Sequence, residues 1–113
     1  KVKKIQKAVE IFGNKYPNIT HDGEMQFDAA ISNEVSKMKV KNNKLKGESN
    51  IFIFPDLDSA NIAYKITQYL ASYQALGPLL QGLQKPVHDL SRGCSIDDII
   101  YVSAIAMLQA QHN

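Results

Sequence analysis

The chain has 113 residues, with 13 Lys and Arg against 11 Asp and Glu and a formal net charge of +2. Hydrophobic residues at 44% and charged residues at 21% describe an ordinary soluble globular protein, not a disordered one, with room for a single domain and a modest core. So small a charge excess gives no argument for nucleic acid. The longest apolar stretch runs only from Ile99 to Leu108, with Ser103 inside it, well short of the ~20 residues that span a bilayer.

The elements are predicted from hydrophobic spacing. Val2, Ile5, Val9 and Phe12 recur at helical intervals, with Lys3, Lys4, Lys7 and Glu10 on the other face and Gly13-Asn14 as a stop. Ile19 to Glu24 reads as a short strand. Phe27, Ile31, Val35 and Met38 give a second amphipathic helix, followed by a loop that leads to Gly47. Lys37, Lys39, Lys41, Lys44 and Lys46 cluster around that loop without interleaved aromatics, so no stacking platform for a nucleic acid is present and a solvated loop is the expectation.

Ile51-Phe52-Ile53-Phe54 lacks alternation and predicts a strand buried on both faces, ended by Pro55. Asp56 or Asp58 then caps a helix bearing Ile62, Ile66, Tyr69 and Leu70. Gly77 to Leu83 reads as another short strand, and Ser95 opens a final apolar helix. Helices alternating with apolar strands predict an α/β fold, a three-layer mixed sheet with flanking helices.

The segment Pro86 to Asp98 carries the clearest chemistry. Ser91, Arg92 and Cys94 stand just ahead of a helix start, with Asp98 in its first turn. The free backbone N–H groups of a helix start attract anions, and an Arg beside them adds a planar fork of donors matched to phosphate. Gly93 is expected to let the backbone turn sharply before the Ser95 cap. Each residue also has a structural use: Arg92 in a surface ion pair, Ser91 in a turn, Asp98 in reciprocal capping with Ser95, and Cys94 as a small packed hydrophobe.

Other chemistries are not indicated. His21, His88 and His112 are scattered without metal-ligand spacing, and no Walker-type loop or Gly-x-Gly-x-x-Gly occurs. The single Cys94 cannot form an internal disulfide, so a reducing cytoplasmic setting is expected. The sequence opens without Met and inside a helical pattern, as a portion of a longer protein would.

Four collinear segments carry a family resemblance. They are Asp22-Gly23-Glu24-Met25-Gln26-Phe27-Asp28-Ala29-Ala30, Phe52-Ile53-Phe54-Pro55-Asp56-Leu57, Gly77-Pro78-Leu79-Leu80-Gln81-Gly82-Leu83, and Lys85 through Leu90-Ser91-Arg92-Gly93-Cys94-Ser95. Together they closely resemble the C-terminal part of phosphate acetyltransferases. Residues 1–113 would then be the C-terminal portion of a phosphate acetyl/butyryl transferase domain, within a fold like that of isocitrate and isopropylmalate dehydrogenases.

The resemblance implies reversible transfer of an acetyl group between coenzyme A and orthophosphate, in a cleft between two domains of a homodimer. It implies coenzyme A and acetyl-CoA as substrates, no bound cofactor or metal, and neither nucleic acid nor membrane as partner. Carried over residue by residue, Arg92 binds the phosphate or acyl phosphate, Ser91 stabilises the tetrahedral oxygen, and Asp98 takes the thiol proton. From its place beside Arg92 and the helix start, rather than from the family, Cys94 is read as a low-pKa thiol that joins Ser91 and Arg92 in holding substrate. Asp58-Ser59-Ala60-Asn61 stands where the family usually reads Asn-Ala-Gly-Asn, and His88 stands where Asn is common.

An unperturbed Asp with pKa ~3.9 facing a thiol near ~8.5 leaves proton transfer uphill by roughly 6 kcal/mol. That role therefore calls for burial to raise Asp98 and for cations to favour the thiolate. Three related readings accompany it. A phosphate butyryltransferase differs in its acyl pocket, the transferase-like tail of a malic enzyme is regulatory, and the isolated segment is a non-catalytic fragment that binds phosphate or coenzyme A.

Overall fold

A computed structural model describes residues 1–111. The chain divides into two compact units, Lys1–Asn61 and Ile62–Asn113, and each is considered by itself. Five helices form among the described residues: α1 (Val2–Lys15), α2 (Phe27–Ile31), α3 (Asn33–Lys39), α4 (Leu57–Leu70) and α5 (Ile96–Gln111). About half of the chain is helical, and no sheet forms among the described residues. The expected three-layer mixed sheet is therefore not the architecture.

The reason is visible at each predicted strand. A strand is satisfied only by a neighbour that pairs its backbone N–H and C=O groups along its length, and among the described residues no run has more than one isolated bridge. Ile51 and Ile53 are 77% and 84% exposed instead of buried. Their segment is held from the side: Phe52 meets Phe27 at 5.2 Å between ring centroids, Lys4 Nζ donates to Pro55 O at 2.9 Å, and Lys1 pairs with Asp56 at 2.5 Å. At 19–24 the Asp22 carboxylate takes the N–H groups of Gly23 (2.8 Å) and Lys44 (3.1 Å), substituting for a ladder. Gly77 to Leu83 contributes one isolated antiparallel bridge, Leu79 to His88, and Pro78 has no N–H with which to extend it.

In the first unit α1 follows its apolar stripe but runs through Gly13 and ends at Tyr16, whose N–H donates to Phe12 O. The single helix expected from Phe27 to Met38 is broken into α2 and α3 at Ser32. That residue takes an extended backbone (φ −122°, ψ 121°), and its hydroxyl accepts from Val35 N at 3.4 Å. A serine side chain offers the backbone an alternative to a continuing helix, and here it caps a new one.

Ala29, Ala30, Ser36 and Gly47 are the buried residues of this unit. Gly47 lies so close to the α2–α3 corner that a Cβ would stand 2.5 Å from Asn33 N, and its φ is +79°. Only glycine fits that combination without strain.

Helix α4 is capped by the preceding Asp56, whose Oδ1 accepts from Ser59 N at 3.0 Å. This is the cap expected at Asp56 or Asp58. In the second unit Val102 is the buried apolar residue, while Ile96, Ile100, Met107 and Leu108 of α5 are all more than half exposed. His88 ties the loop before α5 to the helix through a 2.7 Å hydrogen bond between Nε2 and Gln109 Oε1.

Candidate functional site

The start of α5 is built as the sequence pattern predicts. Asp98 N donates to Ser95 Oγ at 3.1 Å, and Ser95 N donates to Asp98 Oδ2 at 2.8 Å. This reciprocal box satisfies two donors that the first turn would otherwise leave open. It also leaves Asp98 Oδ1 without a hydrogen-bond partner among the described residues.

One turn earlier the chain folds tightly at Ser91. Cys94 N donates to Ser91 O at 2.9 Å, and Gly93 N donates to Ser91 Oγ at 3.3 Å. The Ser91 oxygen thus accepts a bond while its hydroxyl hydrogen has no acceptor among the described residues. A hydroxyl has one donor and two acceptor positions, so Ser91 is an open donor. Gly93 was expected to supply a sharp turn through its freedom of φ. Its φ is not positive, and a Cβ there would meet only Ser91 Oγ at 4.0 Å. The turn comes from the Ser91 hydrogen bonds instead.

Ser91, Gly93, Cys94 and Asp98 line a shallow groove whose other wall is α4 with the adjoining segment, contributing Tyr64, Lys65, Gln68, Tyr69, Ala75 and Gly77. Its enclosed volume is only ≈ 20 Å³, about what one water needs. It is a row of functional groups at the surface and not a cavity. Cys94 is half-buried and free.

Arg92 lies within the same loop but is exposed, does not line the groove, and makes no ion pair or side-chain hydrogen bond among the described residues. The cation that does line the groove is Lys65. Its Nζ stands 5.0 Å from the Tyr64 ring centroid and 5.4 Å from that of Tyr69, within cation–π range. Gln68, one turn on, has a buried Oε1 without a hydrogen-bond partner.

Asp98 departs from what the base role asks. Its carboxyl is held below the ordinary value of 3.8, first by the Ser95 backbone N–H and then by the Ser95 hydroxyl. Desolvation opposes them, and the Lys65 charge adds a smaller push downward. Hydrogen bonds that favour the charged form outweigh the effect of partial burial. Asp98 is therefore a firm carboxylate, not a raised one.

Comparison with known proteins identifies the family. A family profile described as phosphate acetyl/butaryl transferase matches residues 1–107. The chain belongs to this family. It is 53% identical over 109 residues to a phosphate acetyltransferase of Acetivibrio thermocellus, covering 96% of this chain and 33% of that protein. Against the Clostridium acetobutylicum phosphate acetyltransferase it is 47% identical over 110 residues, 97% of this chain and 33% of the relative. The Bacillus subtilis phosphate acetyltransferase gives 47% over 107 residues, 95% of this chain and 33% of the relative. The chain thus spans about a third of the length of these three curated relatives.

Of the residues singled out from sequence, the structure brings Ser91, Cys94 and Asp98 to one groove and leaves Arg92 at its edge. It adds Lys65 and Gln68, which the sequence reading passed over. Their signal was present as Tyr64-Lys65 and Gln68-Tyr69, pairs spaced four apart on one helix face. Among the described residues no group of three or more His, Cys, Asp or Glu is placed to hold a metal, and no helix is long and apolar enough to cross a membrane.

Proposed function

We propose that this chain supplies part of the active site of a phosphate acetyltransferase, which moves an acetyl group reversibly between coenzyme A and orthophosphate. The observation that carries the reading is the shared groove at the start of α5, which Ser91, with its hydroxyl hydrogen unpaired, and Asp98, with Oδ1 unpaired, both line among the described residues. Family membership over residues 1–107 supports it. The reading makes the chain one portion of a larger enzyme. That also fits the apolar faces left open on Ile51, Ile53, Ile96 and Leu108, which an isolated domain of this composition would bury.

In the direction that consumes acetyl phosphate, the sulfur of coenzyme A bonds to the acetyl carbon. The carbonyl electrons move onto oxygen, where the Ser91 hydroxyl donates to the developing charge. The tetrahedral centre then expels phosphate with the C–O bonding pair, while the thiol proton passes to Asp98 Oδ1. Arg92, unpaired among the described residues, binds the phosphoryl oxygens through its bidentate fork.

The lowered pKa of Asp98 widens the ~6 kcal/mol gap between an ordinary Asp and a thiol. Burial does not close that gap here, because capping by Ser95 outweighs it. The thiol itself must be made more acidic, and positive charge beside the N-terminus of α5 has that effect. A dimeric assembly belongs to the same proposal and rests on the resemblance, a cytoplasmic location rests on the single Cys94, and a phosphate butyryltransferase with a different acyl pocket is the alternative.

A second reading, that the segment by itself is not catalytic, is favoured by the ≈ 20 Å³ groove, which cannot exclude water around two substrates. In the complete enzyme, Arg92→Ala is expected to weaken phosphate binding by about 1.5–3 kcal/mol per charge-assisted bond lost and to lower turnover. Steady-state rates within twofold of the parent would remove Arg92 from the site.

A further inference from the structure

Lys65 is the one cation lining the groove among the described residues, and no carboxylate lies within ion-pair distance of it. Its ammonium stands over two tyrosine rings, at 5.0 and 5.4 Å. Aromatic rings hold an ammonium in place without cancelling its charge, whereas a carboxylate partner would neutralise it. An ammonium that is positioned and unneutralised, in a groove already holding an open hydroxyl donor, suits an acceptor-only dianion. Asp98 in the same groove repels such a dianion, and a cation on the opposite wall offsets that repulsion. Arg92 is not among the residues that line the groove, so within the groove itself Lys65 is the cation.

We propose that Lys65 binds a phosphate group of the reactants in the groove beside Ser91; the assignment rests on the transferase reading above. Two phosphates share this chemistry: the phosphoryl group of the acyl phosphate or free orthophosphate, and the phosphates of coenzyme A.

The test compares Lys65→Met and Lys65→Arg with the parent in the complete enzyme, measuring both KM values, kcat and Tm. Loss of one charge-assisted contact predicts a rise of about tenfold or more in a single KM for the Met variant. The other KM and Tm stay near the parent, and the Arg variant recovers most of the loss. A rise confined to acetyl phosphate assigns the phosphoryl group, and a rise confined to coenzyme A assigns the coenzyme's phosphates. If neither KM rises, if both rise together, or if Arg is as damaging as Met, the assignment is overturned.

Titration with inorganic phosphate followed by phosphorus NMR gives a readout that needs no turnover. Binding that is about tenfold weaker in Lys65→Met supports the proposal, and equal binding in an enzyme whose other arm shows no coenzyme effect overturns it. Were the parent to transfer no acetyl group, the transferase reading would fail while this titration still decided Lys65.

Discussion

In the first unit, α3 and the loop after it enclose a concavity of ≈ 340 Å³ lined by Lys37, Lys41 and Lys46 with Asn33, Asn42 and Asn43. In the second, a groove of ≈ 20 Å³ gathers Ser91, Cys94, Asp98, Lys65 and two tyrosines. The larger space has charge of one sign, and two of its amides are spent on holding the loop. Asn43 Nδ2 donates to Ser36 Oγ at 2.7 Å, and Asn33 Nδ2 donates to Lys46 O at 3.0 Å. The smaller space has a donor, an acceptor, a thiol and a cation, with the Ser91 hydrogen and Asp98 Oδ1 still open. Under the proposed function, volume alone would choose the wrong region, and unspent functional groups of different kinds are the better guide.

The largest effect that separates the two regions is on turnover. Ser91→Ala removes the donor to the developing oxyanion and is expected to lower kcat by about 10²-fold, the scale for loss of one such donor. Replacing Lys37, Lys41 and Lys46 together by Ala is expected to leave kcat within about twofold. Steady-state assays of both variants in the complete enzyme would merge the two regions if the lysine variant proved the slower.

A stability measurement sharpens the same contrast. Gly47→Ala forces a Cβ against the Ser32–Asn33 backbone at φ +79° and is expected to cost about 2 kcal/mol, read as a lower denaturation midpoint. At Gly93 the corresponding Cβ meets only Ser91 Oγ at 4.0 Å, so Gly93→Ala is expected to lie within about 0.5 kcal/mol of the parent.

The smallest effect concerns Asp56, whose carboxyl is held well below its ordinary value of 3.8, first by Lys1 and then by the Ser59 side chain and N–H. A lowered pKa in the folded state means that the contribution is fully present above the unfolded value and is lost as pH falls through the folded one. Acid titration of stability should therefore show a shallower decline below pH 3.8 in Asp56→Asn than in the parent. Superimposable acid limbs would show that the Lys1 pair adds nothing.

What could be read from sequence follows the range of the interactions. Helices α1, α4 and α5 were legible because their apolar spacing and caps are local, as with Asp56 over Ser59 and Ser95 with Asp98. The break at Ser32 was missed because hydrophobic period alone outvoted a serine that caps a new helix. The strands at 19–24, 51–54 and 77–83 failed for another reason: a ladder is made with a distant segment, and composition such as Ile51-Phe52-Ile53-Phe54 cannot supply the partner.

The site divides in the same way. Ser91, Cys94 and Asp98 lie within eight positions of one another and could be grouped from their order alone. Lys65 comes from another helix and becomes a neighbour only through folding.

The central claim is that Asp98 serves two ends at once, capping α5 through Oδ2 and receiving the thiol proton at Oδ1. Asp98→Asn keeps an oxygen for Ser95 N but has no basic carboxylate, so it separates the two. In the complete enzyme its kcat is predicted to fall by about 10²–10⁴-fold with an unchanged circular dichroism spectrum and Tm. A rate within twofold of the parent, with folding equally intact, would leave Asp98 a helix cap and contradict the account.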